Sequence, residues 1–79
     1  MTEEVYGFRN GIDEAVYKAG GQTQLGEKLK VTSQSVNHWV RLGYVPNRRA
    51  VEIEELYGIA RRRLVDPRLV ALLEIKPSQ

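Results

Sequence analysis

The chain contains no cysteine and only one histidine, His38, among its 79 residues. The first absence removes disulfides and thiolate ligands, and the two together leave too few soft donors for a zinc site. No metal and no cofactor is therefore expected. Long apolar runs are also missing: nothing approaches the roughly 18 residues that a membrane span requires. The N-terminus is acidic, unlike the basic start of a secretory signal. These absences lead us to expect a cytoplasmic protein with no membrane contact. No nucleophile paired with a base and no glycine loop shaped for phosphate can be found, so neither an enzyme nor a small-molecule substrate is expected.

What is present suits one small domain spanning residues 1–79. A chain of this length buries only about 60–65% of its unfolded surface, which limits the core to a few short helices. With 42% apolar and 28% charged residues, it is not a disordered tail. The net charge of +2 is unevenly distributed. Residues 22–49 hold five Lys or Arg against Glu27 alone, for +4, whereas residues 50–60 hold Glu52, Glu54 and Glu55, for −3. A positive field of this kind attracts phosphate and is salt-sensitive.

The positive charge collects around Gln22 to Arg41, QTQLGEKLKVTSQSVNHWVR, which reads as two short helices set at an angle across a tight turn. From Thr23 to Leu29 the pattern puts Leu25 and Leu29 one turn apart on a single face, with Gly26 as a bare spot where another helix can approach. The pattern breaks at Lys30 to Thr32. Val31 would plug the corner, and either Thr32 or Ser33 is suited to cap the second helix. At about 100° per residue, Val36, Trp39 and Val40 of that helix face inward, while Gln34, Asn37, His38 and Arg41 share the opposite side.

That outer face offers amides, an imidazole and a guanidinium. Asn and Gln pair bidentately with adenine, and Arg and His suit guanine acceptors or phosphate. Any solvated helix face is polar, but such faces usually mix charge signs. Thr32 to Tyr44 contains no acidic residue, although the chain carries ten. The pattern favours reading of double-stranded DNA over plain solvation.

The same stretch resembles the helix-turn-helix of Cro-like and lambda-repressor-like phage and prophage regulators, including the YdaS-like group of small prophage regulators. The resemblance rests on Gln22-Thr23 opening the first helix, Gly26 at the small position, and Leu25, Leu29, Val31, Val36 and Trp39 at the apolar positions. It is close over about twenty residues and loose over residues 11–58. It implies an all-α bundle of four to five helices, a helix-turn-helix at 22–41, and a transcriptional regulator binding a pseudo-palindromic operator. It also implies that Gln22 contacts the DNA backbone. Lys30 departs from the pattern, standing where the family usually has glycine.

In the rest of the chain, residues 1–9 read as a short strand or as an arm whose aromatics, Tyr6 and Phe8, close the core. Asn10 can cap a helix that buries Ile12, Ala15, Val16 and Ala19 and ends at Gly20-Gly21. Tyr17 would pack at the rim or reach a phosphate. Gln22 and Thr23 either cap the next helix or meet phosphate at its free N–H groups. After Gly43, Pro46 introduces a further helix burying Ala50, Ile53, Leu56 and Tyr57. Asn47, Arg48 and Arg49 lie at its start, against the helix dipole, unless something negative is bound there. Arg61-Arg62-Arg63 either touches DNA or neutralises Glu52, Glu54 and Glu55. Asp66-Pro67 opens a last helix too apolar all round to stand alone, which the core or a second copy must cover.

The expected interface therefore assigns base reading to Gln34, Asn37 and His38, with Ser33 and Ser35 as further candidates and Thr32 beside them. Gln22, Thr23, Arg41, Asn47, Arg48 and Arg49 are assigned to phosphates. A homodimer is expected, with residues 60–79 as the candidate dimerisation segment, because one reading head of this size binds weakly. Two alternatives remain. WVRLGYVP, residues 39–46, also resembles excisionase and MerR-like winged domains, which continue into a strand-turn-strand. The apolar tail also suits an antitoxin or antirepressor that acts by binding protein.

Overall fold

The computed structural model describes the backbone of residues 8–74 and the side chains of residues 8–70. Five helices follow in order: α1 Gly11–Ala19, α2 Gln22–Leu29, α3 Ser33–Leu42, α4 Asn47–Tyr57 and α5 Pro67–Glu74, with a 3₁₀ turn at Arg61–Arg63 before the last. The described residues are all-helical, so the small helical bundle expected from the sequence is the fold. Where a wing would require a strand-turn-strand after Pro46, the chain forms α4 instead. No helix among the described residues is long and apolar enough to cross a membrane.

Local chemistry sets most of the boundaries. Asn10 accepts a hydrogen bond from the Asp13 amide at 3.0 Å and so starts α1, with Asp13 and Glu14 in its first turn. Gly20 ends the helix with φ +98°. Thr32, rather than Ser33, caps α3: its hydroxyl accepts from the Ser35 amide at 3.1 Å and donates to the Ser35 hydroxyl at 3.2 Å. The start of α2 differs from expectation, because its N-cap is Gly21 and no side chain caps it. Neither Gln22 nor Thr23 fills that role, and both side chains remain available for other contacts.

The core is drawn from α1 to α4 and the connections, with Val70 of α5 partly buried against it. Ile12 and Ala15 of α1, Leu25 and Leu29 of α2, Val36 and Trp39 of α3, and Ala50 and Ile53 of α4 are buried. Val45, Ile59, Leu64 and Val65 complete it from the connections. The Val45 amide donates to the Leu64 carbonyl at 2.7 Å, which ties the exit of α3 to the 3₁₀ turn. Leu56, expected inside, is instead 49% exposed. Tyr17 is 73% exposed, its ring 5.3 Å from that of Phe8, so its rim role amounts to a surface aromatic pair. The expectation of a strand or arm at residues 1–9 falls mostly outside the described residues, as do the side chains that would settle how apolar α5 is all round.

The corner between α2 and α3 carries backbone strain. Lys30 adopts φ +63° and ψ +41°, the left-handed conformation suited to glycine. For a residue bearing a Cβ this costs about 1 kcal/mol, although glycine loses more freedom on folding and returns part of that gain. We expect Lys30→Gly to raise the melting temperature by a few degrees, since about 1 kcal/mol corresponds to about 4–8 °C in a domain this small. An unchanged or lower midpoint in thermal unfolding would contradict this account of the corner.

A carboxylate clamp joins α1 to the 3₁₀ turn. Glu14 on α1 accepts from Arg63 of the 3₁₀ turn and forms an ion pair with Lys18 at 3.2 Å. Burial alone would raise the Glu14 carboxyl, but the hydrogen bonds from Arg63 and Lys18, with their charges, outweigh it and hold the group below its ordinary value. Asp66 is likewise lowered, chiefly by hydrogen bonds from the Arg68 side chain and amide. A carboxylate with a depressed folded pKa stabilises the fold fully above its unfolded value and loses that contribution as pH falls through the folded one. The melting temperature should therefore hold steady at neutral pH and fall on acidification through and below the carboxylate range, about pH 4. For Glu14→Gln the deficit relative to the parent should be largest at neutral pH and shrink in acid. A deficit independent of pH would show that the clamp is not electrostatic.

Candidate nucleic-acid interface

Burial of Val36 and Trp39 fixes the rotation of α3 and turns its other side outward. Gln34, His38 and Arg41 are exposed and Asn37 is half-buried. The outward side of α3 and the first residue of α2 form one shallow depression of about 400 Å³, lined by Gln22, Ser33, Gln34, Asn37, His38 and Arg41. Each of these six was singled out from the sequence, and none is a carboxylate. The lining can donate and accept hydrogen bonds through amides and a hydroxyl and can offer positive charge at Arg41.

The other candidates lie elsewhere in the lattice of contacts. Thr32 and Ser35 are engaged with each other in the cap of α3, so their hydroxyls position the helix start. Thr23 is exposed in the first turn of α2, and Asn47 and Arg48 are exposed in the first turn of α4, outside the residues that line the depression. Arg49, expected to hold phosphate, turns inward. Its Nη1 donates to the Leu29 carbonyl at 3.2 Å and to Glu52 Oε1 at 2.8 Å. The i,i+3 pairing of Arg49 with Glu52 could be read from the sequence; the bond to Leu29, 20 residues away, could not.

The pairing of charges separates the cations into two groups. Arg9, Lys18, Arg49, Arg61, Arg63 and Arg68 each form an ion pair with a carboxylate. Arg61 pairs with Glu54 at 2.9 Å, so at that position the neutralising reading of the arginine run holds; Arg63 serves Glu14 instead. Among the described residues, Lys28, Lys30, Arg41 and Arg48 have no carboxylate partner, and all four fall between residues 28 and 48. The uncompensated charge thus belongs to the segment that carries the depression, where an anionic ligand would find it unscreened by neighbours.

The family model described as Bacterial toxin YdaS matches residues 12–64, from α1 through the 3₁₀ turn and including the whole depression. The chain belongs to the YdaS family. That match leaves α5 outside it and agrees with the resemblance read from Gln22 to Arg41 at the level of the YdaS-like group. No curated protein and no solved structure matches the chain.

Proposed function

We propose that this YdaS-family chain is a sequence-specific double-stranded DNA-binding regulator of the Cro-like, lambda-repressor-like type, acting in the cytoplasm without catalysis. The observation that carries this reading is the depression in which Gln22 of α2 meets Ser33, Gln34, Asn37, His38 and Arg41 of α3. A helix with a carboxylate-free outer face, flanked by unpaired cations, suits a major groove edged by phosphates. Gln34, Asn37 and His38, with Ser33, address base edges. Gln22, Thr23, Arg41, Asn47 and Arg48 hold phosphates and set the register.

One head of this size spans few base pairs. The proposed active form is a homodimer that places two copies of α3 in successive major grooves, about 34 Å apart, on a pseudo-palindromic operator. Leu56 and Leu69, 49% and 42% exposed, are compatible with a covering partner. Occupancy of a promoter then excludes polymerase. Selection from random duplexes at physiological salt tests the whole reading: a recovered word with twofold symmetry is expected. Recovery of no word would end the reading, and a single unrepeated half-site would end the dimer.

The exposed Leu56 and Leu69 also suit a second reading, the antitoxin or antirepressor alternative, in which the chain acts by binding another protein. The two readings part at Asn37→Ala. If expression of the chain harms cells through promoter occupancy, this change relieves the harm; if it acts through a protein bound elsewhere, the harm persists.

A further inference from the structure

We infer that Arg49 is a positioning residue of the reading unit, setting the angle between α2 and α3 from outside the helix-turn-helix; this rests on the DNA-binding reading above. Leu29 is the last residue of α2, and its carbonyl is among those that a helix end leaves without an intrahelical donor. The turn serves its neighbours: the Lys30 amide donates to the Glu27 carbonyl and the Val31 amide to the Gly26 carbonyl. The Leu29 carbonyl instead receives Arg49 Nη1, reaching across from the first turn of α4.

The charges explain why the side chain goes there. A cation at the start of α4 is repelled by that helix's dipole, whereas the same cation at the end of α2 is attracted. Arg49 leaves the first field for the second, and Glu52, one turn further along α4, fixes its guanidinium at 2.8 Å. The side chain retains only 25% of its exposure. Its neighbour Arg48 has no such partner. Two adjacent arginines therefore have different duties: Arg48 is free for phosphate, and Arg49 spans α4 and the corner at Lys30.

That corner decides whether the depression exists as one surface. Gln22 comes from α2 and the other five lining residues from α3, so a small rotation at residues 30–32 separates them. Lys30 is held there in a conformation that it does not favour, and strain of this kind persists only where surrounding contacts enforce it. A side chain moved out of register loses its paired hydrogen bonds to a base edge, and each such pair is worth roughly tenfold to a hundredfold in discrimination.

The test compares the parent, Arg49→Gln and Glu52→Gln on an operator duplex and on an unrelated duplex, across a salt series, at a temperature where unfolding scans show all three folded. For Arg49→Gln we expect operator affinity to fall by about tenfold or more, affinity for the unrelated duplex to hold, and the dependence of log K on log salt to keep its slope. Glu52→Gln removes a negative charge, so charge alone would tighten binding; we expect it to weaken operator binding instead. A slope shallower by about 0.9, with both duplexes weakened equally, would make Arg49 a phosphate ligand and overturn the inference. Unchanged operator affinity in both variants, with only the melting temperature lowered, would make the contact purely stabilising and also overturn it. A parent chain that shows no preference between duplexes removes the DNA-binding reading and this inference together, whereas a parental preference kept by both variants removes the inference alone.

Discussion

Alanine in place of Gly26 should lower the melting temperature by about 10 °C. A Cβ at that position would lie 2.8 Å from the Val31 carbonyl oxygen and 3.4 Å from the carbonyl carbon and oxygen of Thr32. All three atoms are backbone, so no side chain can swing aside. Relief requires the corner to move, and α3 with it. Overpacking of this kind costs about 1–3 kcal/mol, sometimes more. Alanine's better helix propensity returns up to about 1 kcal/mol. Because all three atoms are backbone, the cost lies at the upper end of that range, and a net loss of about 2 kcal/mol corresponds to roughly 8–16 °C in a domain of this size. On the proposed reading, DNA affinity measured well below the new midpoint should fall as well, because the displaced corner carries α3. A midpoint at or above the parent's would show that the corner yields without strain.

The second large effect concerns recognition. Gln34→Ala or Asn37→Ala should each weaken operator binding by about 1–3 kcal/mol, on the order of tenfold to a hundredfold, and relax preference at one position of the word. Arg48→Ala should instead weaken operator and unrelated duplexes alike and shallow the salt dependence by about 0.9 per protomer. The contrast follows from placement: Gln34 and Asn37 line the depression, whereas Arg48 stands exposed at the start of α4 with no carboxylate partner. Competition titrations against single-base operator variants measure both quantities. If all three substitutions cost every duplex the same factor, the division between reading and holding is wrong.

The outward face of α3 is legible in the sequence because it depends on one helix whose rotation is set by two strong anchors. Val36 and Trp39 sit three residues apart and are both buried, so the opposite face follows from about 100° per residue. Asn10, Thr32, Gly20 and Gly43 mark their helix ends by chemistry that acts within a few residues. The α4 helix shows where that logic fails. Leu56 lies roughly 120° round the axis from Ala50 and roughly 100° from Tyr57, so an i+3 relation to Ile53 was not enough to bring it inside.

The other misjudged features depend on distant atoms. Gly26 was read as a landing place for another helix, yet what approaches is the backbone of the chain's own corner. Arg49 was counted with the free cations because charge and position place it beside Arg48. Only the folded path of α4 brings the Leu29 carbonyl within its reach. Local pattern reports which way a side chain starts, while long charged side chains are claimed by whichever acceptor the fold delivers.

The bond between the Val45 amide and the Leu64 carbonyl bears on how far this protein can be trimmed. A fragment ending at Gly58 would retain every residue of the depression but would strip Ile59, Leu64 and Val65 from the core and strand the Val45 amide. The smallest autonomous fold is therefore longer than the stretch that lines the depression, and the first cut that keeps every buried core residue falls after Val65.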